Sequence, residues 1–306
     1  KFLENDFFLS QIIKNVEWID SITPNPSLNL IQEEVDKLSI KGIKAIIAFG
    51  GGSCIDAAKV ISASFNRNDS SKNIIELINN PQRYLTKCSL PIFAVPTTSG
   101  TGSEVTPYAT LWDTSKKKKI SLQHRILYPK FAIIDPELTY NLPDEITFSS
   151  GLDCLNQAFE SIWNRNRTSL SIKTASKSIK NALIALPRLN KDLKDIGARK
   201  LISEASVLSG ISISQTRTAI CHSISYPLTS NFGVMHGFAC AVTMYSIAKK
   251  VNEYESNCFF EVVQELNLNS SEELVAKIKD ILEILSVKDN VNKSFTNKKE
   301  VFLLID

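Results

Sequence analysis

Strand patterns largely run out at Leu142-Pro143, and no other feature of the chain constrains its fold as much. Before that point, short apolar runs bounded by turn residues alternate with amphipathic ones. Residues 44–49, 91–95 and 131–134 read as strands, and LNLIQEEVDKLSIKG and CIDAAKVISASF as helices. Residues 105–112 and 118–123, separated by DTSKK, read as a β-hairpin. After Pro143 the apolar residues recur at helical spacing, with breaks expected near Pro187, Pro227 and Gly237. The pattern predicts an α/β domain over 1–140 and an all-helical domain over 141–306. With 306 residues and 43% hydrophobic content, the chain can bury a core in each.

Two loops in the α/β part follow apolar strands. Gly50-Gly51-Gly52-Ser53 opens a helix, and Pro96-Thr97-Thr98-Ser99-Gly100-Thr101-Gly102-Ser103-Glu104 is dense in hydroxyls and glycine. Glycines let backbone approach a pyrophosphate, and a helix N-terminus offers free N–H groups and partial positive charge. Read alone, such a turn is equally a tight βα connection. Two of them at strand ends favour a nucleotide at the edge of the sheet.

The helical part holds a different chemistry. The chain has three histidines, and His222 and His236 both lie in CHSISYPLTSNFGVMHG, a stretch without Asp, Glu, Lys or Arg. Two scarce imidazoles there are either separately bonded core residues or partners of one polar object such as a metal ion. The helix GLDCLNQAFESIW puts Asp153 and Gln157 one turn apart on a single face. Carboxylate, amide oxygen and two imidazoles suit iron(II) or zinc better than calcium or a thiolate-bound structural site.

Composition excludes other classes. Net charge is +3, with basic residues spread along the chain apart from the lysine run at 116–119, so nothing calls for nucleic acid or a membrane surface. The six cysteines, at 54, 88, 154, 221, 240 and 258, form no CxxC pair and sit mostly in apolar segments. They read as reduced, buried thiols of a cytoplasmic protein. There is no signal peptide pattern and no apolar run long enough to span a bilayer.

GGGSCIDAAK, PTTSGTGSE, IIDPELT, GLDCLNQAFES and HSISYPLTSNFGVMHG, in that order, resemble the landmarks of the iron-dependent, group III alcohol dehydrogenases. Within that family, WNRNRTSLS and TRTAICHSISYPLT are most similar to the phosphonoacetaldehyde reductases. The resemblance implies the dehydroquinate synthase-like fold: an α/β dinucleotide-binding domain followed by an all-α metal-binding domain. It implies NAD(P)H on Gly51, Gly52 and Ser53, with Asp56, Thr97, Thr98, Lys119 and Leu138 around it. It also implies a divalent metal, Fe(II) or Zn(II), between the domains on Asp153, Gln157, His222 and His236, where Gln157 stands for the family's usual histidine. A further family histidine, associated with proton relay, is Tyr226 here. A phenol can carry that proton.

The implied reaction is reduction of a small aldehyde to a primary alcohol by a homodimeric enzyme. Arg217, five residues before His222, is a candidate to bind an anionic group such as a phosphonate. On a continuous helix it would lie about a turn and a half from His222, and the alternative is an Arg paired with a glutamate of a neighbouring helix. Arg165 and Arg167 are weaker candidates for the same role. Against the family's typical length, a first strand and part of the C-terminus are expected to be missing, which leaves NADH and NADPH undistinguished. Two rival readings belong to other classes: a lyase of the dehydroquinate synthase type, and a relative that has lost metal and activity through Gln157 and Tyr226.

Overall fold

The computed structural model describes residues 16–38, 42–65, 74–81, 89–113 and 118–295. The stretch KFLENDFFLSQIIKNV, which reads as a helix already under way, and the turn of the hairpin lie almost entirely outside these residues. In chain order the elements are α1 (Leu28–Leu38), β1 (Ile46–Gly50), α2 (Gly52–Ser64), α3 (Ile74–Asn79), β2 (Ile92–Pro96), β3 (Tyr108–Asp113), β4 (Lys118–Gln123) and β5 (Phe131–Ala132). Then come only helices: α4 (Asp144–Ile162), α5 (Ser169–Lys191), α6 (Ile196–Thr216), α7 (Ile220–Phe232), α8 (His236–Glu255), α9 (Phe260–Glu265), α10 (Ser271–Ile284) and α11 (Val287–Lys293). The change of architecture after Pro143 is as the sequence predicts.

The strands β1, β2 and β5 form a parallel sheet in the order β1-β2-β5, with Ala48 opposite Ala94 and Phe93 opposite Phe131. On one face, Ala48, Ile92 and Ala94 are buried against Ile55 and Ala58 of α2. The small alanines let the helix close on the sheet. The other face carries Ile47, Phe49, Phe131 and Ile133, all exposed, with Phe93 stacked on Phe131 at 5.1 Å between ring centroids. The hairpin β3–β4 pairs antiparallel, with Trp112 opposite Lys119. Its first strand starts at Tyr108 rather than at 105, because Ser103–Val105 closes a 3-10 turn.

In the helical part, Leu152, Leu155, Phe159 and Ile162 of α4 are fully buried, as their spacing predicts. The opposite side of α4 is polar yet also buried, through Asp153, Asn156, Gln157, Glu160 and Ser161. A helix enclosed all round is the centre of its domain.

The expected helix breaks are corrected in two ways. Pro187 lies inside α5 and Pro227 inside α7, since each removes a single N–H donor and its neighbours continue the helix. The actual stop is Gly233, which caps α7 at φ 68°, a left-handed conformation that glycine adopts without cost. The next helix starts at His236, so Gly237 belongs to its first turn. Among the described residues, no helix is long and apolar enough to cross a membrane.

Candidate active site

The site is built on α4, where Asp153, Gln157 and Glu160 stand at i, i+4 and i+7 and so share one face over two turns. Glu160 is fully buried and occupies the N-terminus of α7, whose own cap residue, Ala219, offers no side-chain bond. Its carboxylate accepts from the N–H groups of Ala219 at 2.8 Å, Cys221 at 2.6 Å and His222 at 3.3 Å. An anion there satisfies orphan donors and the helix dipole together. Burial alone would push Glu160 up, but these bonds and the His222 ring hold its carboxyl below the ordinary range.

The same carboxylate lies 2.6 Å from Nδ1 of His222. An ionised carboxylate only accepts, so Nδ1 carries the proton and Nε2 is turned inward, 3.1 Å from Asp153 Oδ1. A second imidazole is oriented in the same manner. The Ser225 hydroxyl donates to the carbonyl of His222 at 2.7 Å, which leaves its oxygen to accept from Nδ1 of His236 at 3.4 Å. His236 Nε2 then faces Asp153 Oδ1 at 3.9 Å. One turn along α8, Cys240 Sγ lies 3.8 Å from the same Nε2.

Donor atoms of Asp153, His222, His236 and Cys240 all fall within 4.8 Å of one another. Burial would raise the Asp153 carboxyl, but the His222 bond and the charges of His236 and Lys119 keep it low. Burial opposes a charge on His222, yet Cys240, Asp153 and Glu160 raise it well above the ordinary imidazole value. Burial likewise pushes the Cys240 thiol up, and the two imidazoles pull it down to about 6. Cys154 and Cys221, without that compensation, are pushed up to about 12. The donor set would fit a divalent metal that displaces the proton facing Asp153: the outer ring nitrogens are already held, and an ionised carboxylate lies between the imidazoles.

Gln157 is placed differently from the expected ligand. Its amide nitrogen donates to Asp153 Oδ2 at 3.1 Å and to the carbonyl of Thr101 at 3.4 Å, and its oxygen accepts from Ser209 at 3.2 Å. Tyr226 lies beside the cluster, its ring 9° from parallel with that of His236 at 6.4 Å. Lys119 Nζ sits 4.0 Å from the centroid of that phenol ring. Arg217 is not on a helix continuous with His222: it ends α6 at φ 66° and ψ 176°, and α7 starts three residues later. Its guanidinium donates to Gln123 of β4, not to a glutamate, and it is exposed. Arg167 pairs with Glu255 at 2.5 Å.

The two glycine-bearing loops meet face to face. The Thr97 N–H donates to the carbonyl of Gly50 at 3.0 Å, and a Cβ on Gly52 would fall 2.6 Å from Thr101 Cγ2. Gly51 caps α2 without any side-chain bond, leaving the helix N-terminus open beside Thr98. Ser53 Oγ accepts from the Asn25 N–H at 3.2 Å. Asp56 accepts from Ser103 at 2.5 Å and from the Thr110 N–H at 2.8 Å, so it braces the second loop. Leu138 lies in the 3-10 turn Pro136–Thr139, whose Thr139 lines a small cleft with Thr98, Glu104, Asp135 and Ser203.

Glu160 and Cys240 are the site residues missing from the sequence reading. Glu160 follows Gln157 by three positions on a face already identified, and Cys240 follows His236 by four, one helical turn.

Comparison with known proteins gives the family. A family model described as iron-containing alcohol dehydrogenase matches residues 9–136, and one described as the C-terminal part of the Fe-containing alcohol dehydrogenase family matches 147–302. A phosphonoacetaldehyde reductase of Streptomyces viridochromogenes is 36% identical over 200 residues, 65% of this chain and 51% of that protein. A 1-propanol dehydrogenase of Salmonella typhimurium is 31% identical over 228 residues, 74% of this chain and 57% of that protein. The chain thus spans little more than half the length of these relatives. Among solved structures, sulfoacetaldehyde reductase from Bifidobacterium kashiwanohense in complex with NAD+ superposes with a TM-score of 0.79 at 29% identity, covering 87% of this chain and 69% of that one.

Proposed function

The chain belongs to the iron-containing alcohol dehydrogenase family, and from that premise we propose that it reduces a small aldehyde to a primary alcohol with NAD(P)H and a divalent metal, Fe(II) or Zn(II). The observation that carries this reading is the convergence of Asp153, His222 and His236 beside Lys119 and Tyr226. When bound, the metal supplies Lewis acidity at the carbonyl oxygen and the nicotinamide supplies the hydride.

The chain's own groups have distinct tasks in this reading. Gly51, Gly52 and Ser53, with Thr97 and Thr98, offer backbone and hydroxyl donors to a pyrophosphate; Lys119 and Leu138 border that path, and Asp56 shapes it. Glu160 and Ser225 hold the two imidazoles in one tautomer each. Tyr226 offers a phenolic proton beside His236, with the Lys119 ammonium 4.0 Å from the centroid of its ring. The free thiols of Cys54, Cys154, Cys221, Cys240 and Cys258 support a reducing compartment, the cytoplasm.

A narrower reading concerns the substrate. Two of the similar proteins are named for an acetaldehyde bearing an anionic group, and Arg217 is an exposed guanidinium whose side-chain partners, Gln123 and Tyr108, are both uncharged. We assign Arg217 to the anionic end of such a substrate. Lys119 stands on the same face of β4 as Gln123, closer to the metal cluster.

The test is turnover and metal content measured together. NADH or NADPH should be consumed with phosphonoacetaldehyde far faster than with propanal, by kcat/KM. Arg217→Ala should reduce that preference by about 1.5–3 kcal/mol, the weight of one charge-assisted bond. His236→Ala should lose both metal and turnover. A wild type without preference for the anionic aldehyde defeats the arginine assignment, and full turnover in metal-free protein defeats the Lewis-acid role.

A further inference from the structure

We propose that Cys240 is itself a metal ligand, filling the fourth position that the family resemblance gives to Gln157. This rests on the metal-dependent reading above and deepens it.

The competing side chains are disposed in opposite ways. Gln157 has its oxygen on the side of Ser209, 3.2 Å away, and turns its amide nitrogen, which cannot ligate, toward Asp153 Oδ2. Cys240 is fully buried, and its sulfur lies against the His236 ring, 3.8 Å from Nε2 and 3.9 Å from Nδ1, within reach of a metal held on Nε2 after a small side-chain rotation. It belongs to the same convergent set as Asp153, His222 and His236. The four donor atoms lie within 4.8 Å of one another, somewhat wider than a closed coordination sphere. Bonds of about 2.0–2.1 Å to nitrogen or oxygen and 2.3 Å to sulfur put the corners of a tetrahedron roughly 3.3–3.6 Å apart. The structure has 3.1 Å from His222 to Asp153, 3.9 Å from His236 to Asp153 and 3.8 Å from His236 to Cys240.

The other described thiols differ. Cys154 Sγ faces Ser178 at 3.6 Å, and Cys54 faces the carbonyl of Phe49 at 3.6 Å. Only Cys240 joins the donor cluster among the described residues.

Replacing a neutral fourth donor by a thiolate has two chemical effects. Carboxylate and thiolate together neutralise a divalent ion, and the softer sulfur moves preference toward zinc and away from magnesium or manganese. The inference is therefore an Asp-His-His-Cys centre.

The experiment loads the full chain with cobalt(II) or zinc(II). Wild type should bind one cobalt per chain and show a thiolate-to-cobalt charge-transfer band in the near ultraviolet. X-ray absorption of the zinc form should find one sulfur at about 2.3 Å. Cys240→Ser should remove the band and the sulfur, with the circular dichroism unchanged, while Gln157→Ala keeps both. The wild-type spectra decide the matter even if a variant folds poorly. Metal bound with only oxygen and nitrogen neighbours, or a band that survives Cys240→Ser, overturns the cysteine assignment and leaves the metal reading standing. A wild type that retains neither cobalt nor zinc overturns both.

Discussion

One carboxylate, Glu160, sets the chemistry of His222 from outside the metal position. It closes the N-terminus of α7 and fixes the imidazole proton on Nδ1 in the same contact. Glu160→Gln preserves the shape but presents an amide that must break one of those bonds. Such outer partners are worth about 10–100-fold in metal affinity, so a chelator titration should show zinc held that much more weakly, with turnover falling in step. Unchanged affinity would reduce Glu160 to a packing residue. Asp153, His222 and His236 were legible in the sequence because scarce or charged residues stood in apolar surroundings. Glu160 and Cys240 were not: one reads as an ordinary polar residue near a helix end, the other as one of six apolar thiols, and only helix packing gives either its neighbours.

At the scale of elements, α2 is fastened to the start of the hairpin by a buried lysine. Lys59 Nζ reaches Tyr108 O at 2.6 Å, Ser103 Oγ at 3.0 Å and Thr106 Oγ1 at 3.2 Å, with Asp56 at 3.7 Å. Burial lowers its pKa from 10.5 to about 8 against the pull of Asp56 and Glu104. Below pH 8 folded and unfolded chains both carry this proton, and the cost of burying the charge is fully present. Between pH 8 and 10.5 the unfolded lysine keeps a proton that the folded one has lost, so stability rises with pH. The interval from 8 to 10.5, at about 1.4 kcal/mol per unit, amounts to on the order of 3 kcal/mol. Urea unfolding of wild type and Lys59→Met across this range should diverge by that amount in favour of wild type. Parallel curves would mean the lysine never loses its proton in the fold. Element types followed from periodicity, but boundaries did not always: Pro187 and Pro227 marked no helix end, because a helix packed on several sides tolerates one missing donor.

Over the whole molecule, the loop after β2 joins the two halves through backbone. A Cβ on Gly100 would meet Ser150 O at 2.4 Å, and one on Gly102, at φ 59°, would meet Gly210 Cα at 2.4 Å. Ser99 and Ser203 share a hydrogen bond of 2.9 Å across the same junction. A tighter crossing lies within the helical half, where a Cβ on Gly237 would fall 1.7 Å from Ser149 O and the Gly237 N–H donates to Ser149 Oγ at 3.2 Å. No rotamer relieves a clash with backbone. Gly237→Ala should cost about 3 kcal/mol or more and shift His236 off the cluster, seen as a lower Tm and lost metal together; a normal Tm with metal retained would show that α8 can slide. That crossing also governs time. Asp153 and His236 ride on α4 and α8, which meet closely where Gly237 crosses Ser149, whereas His222 rides on α7, tied in by Glu160. On the proposed metal reading, an ion would leave by the route on which α7 undocks, so weakening its hold on Glu160 would shorten the ion's stay.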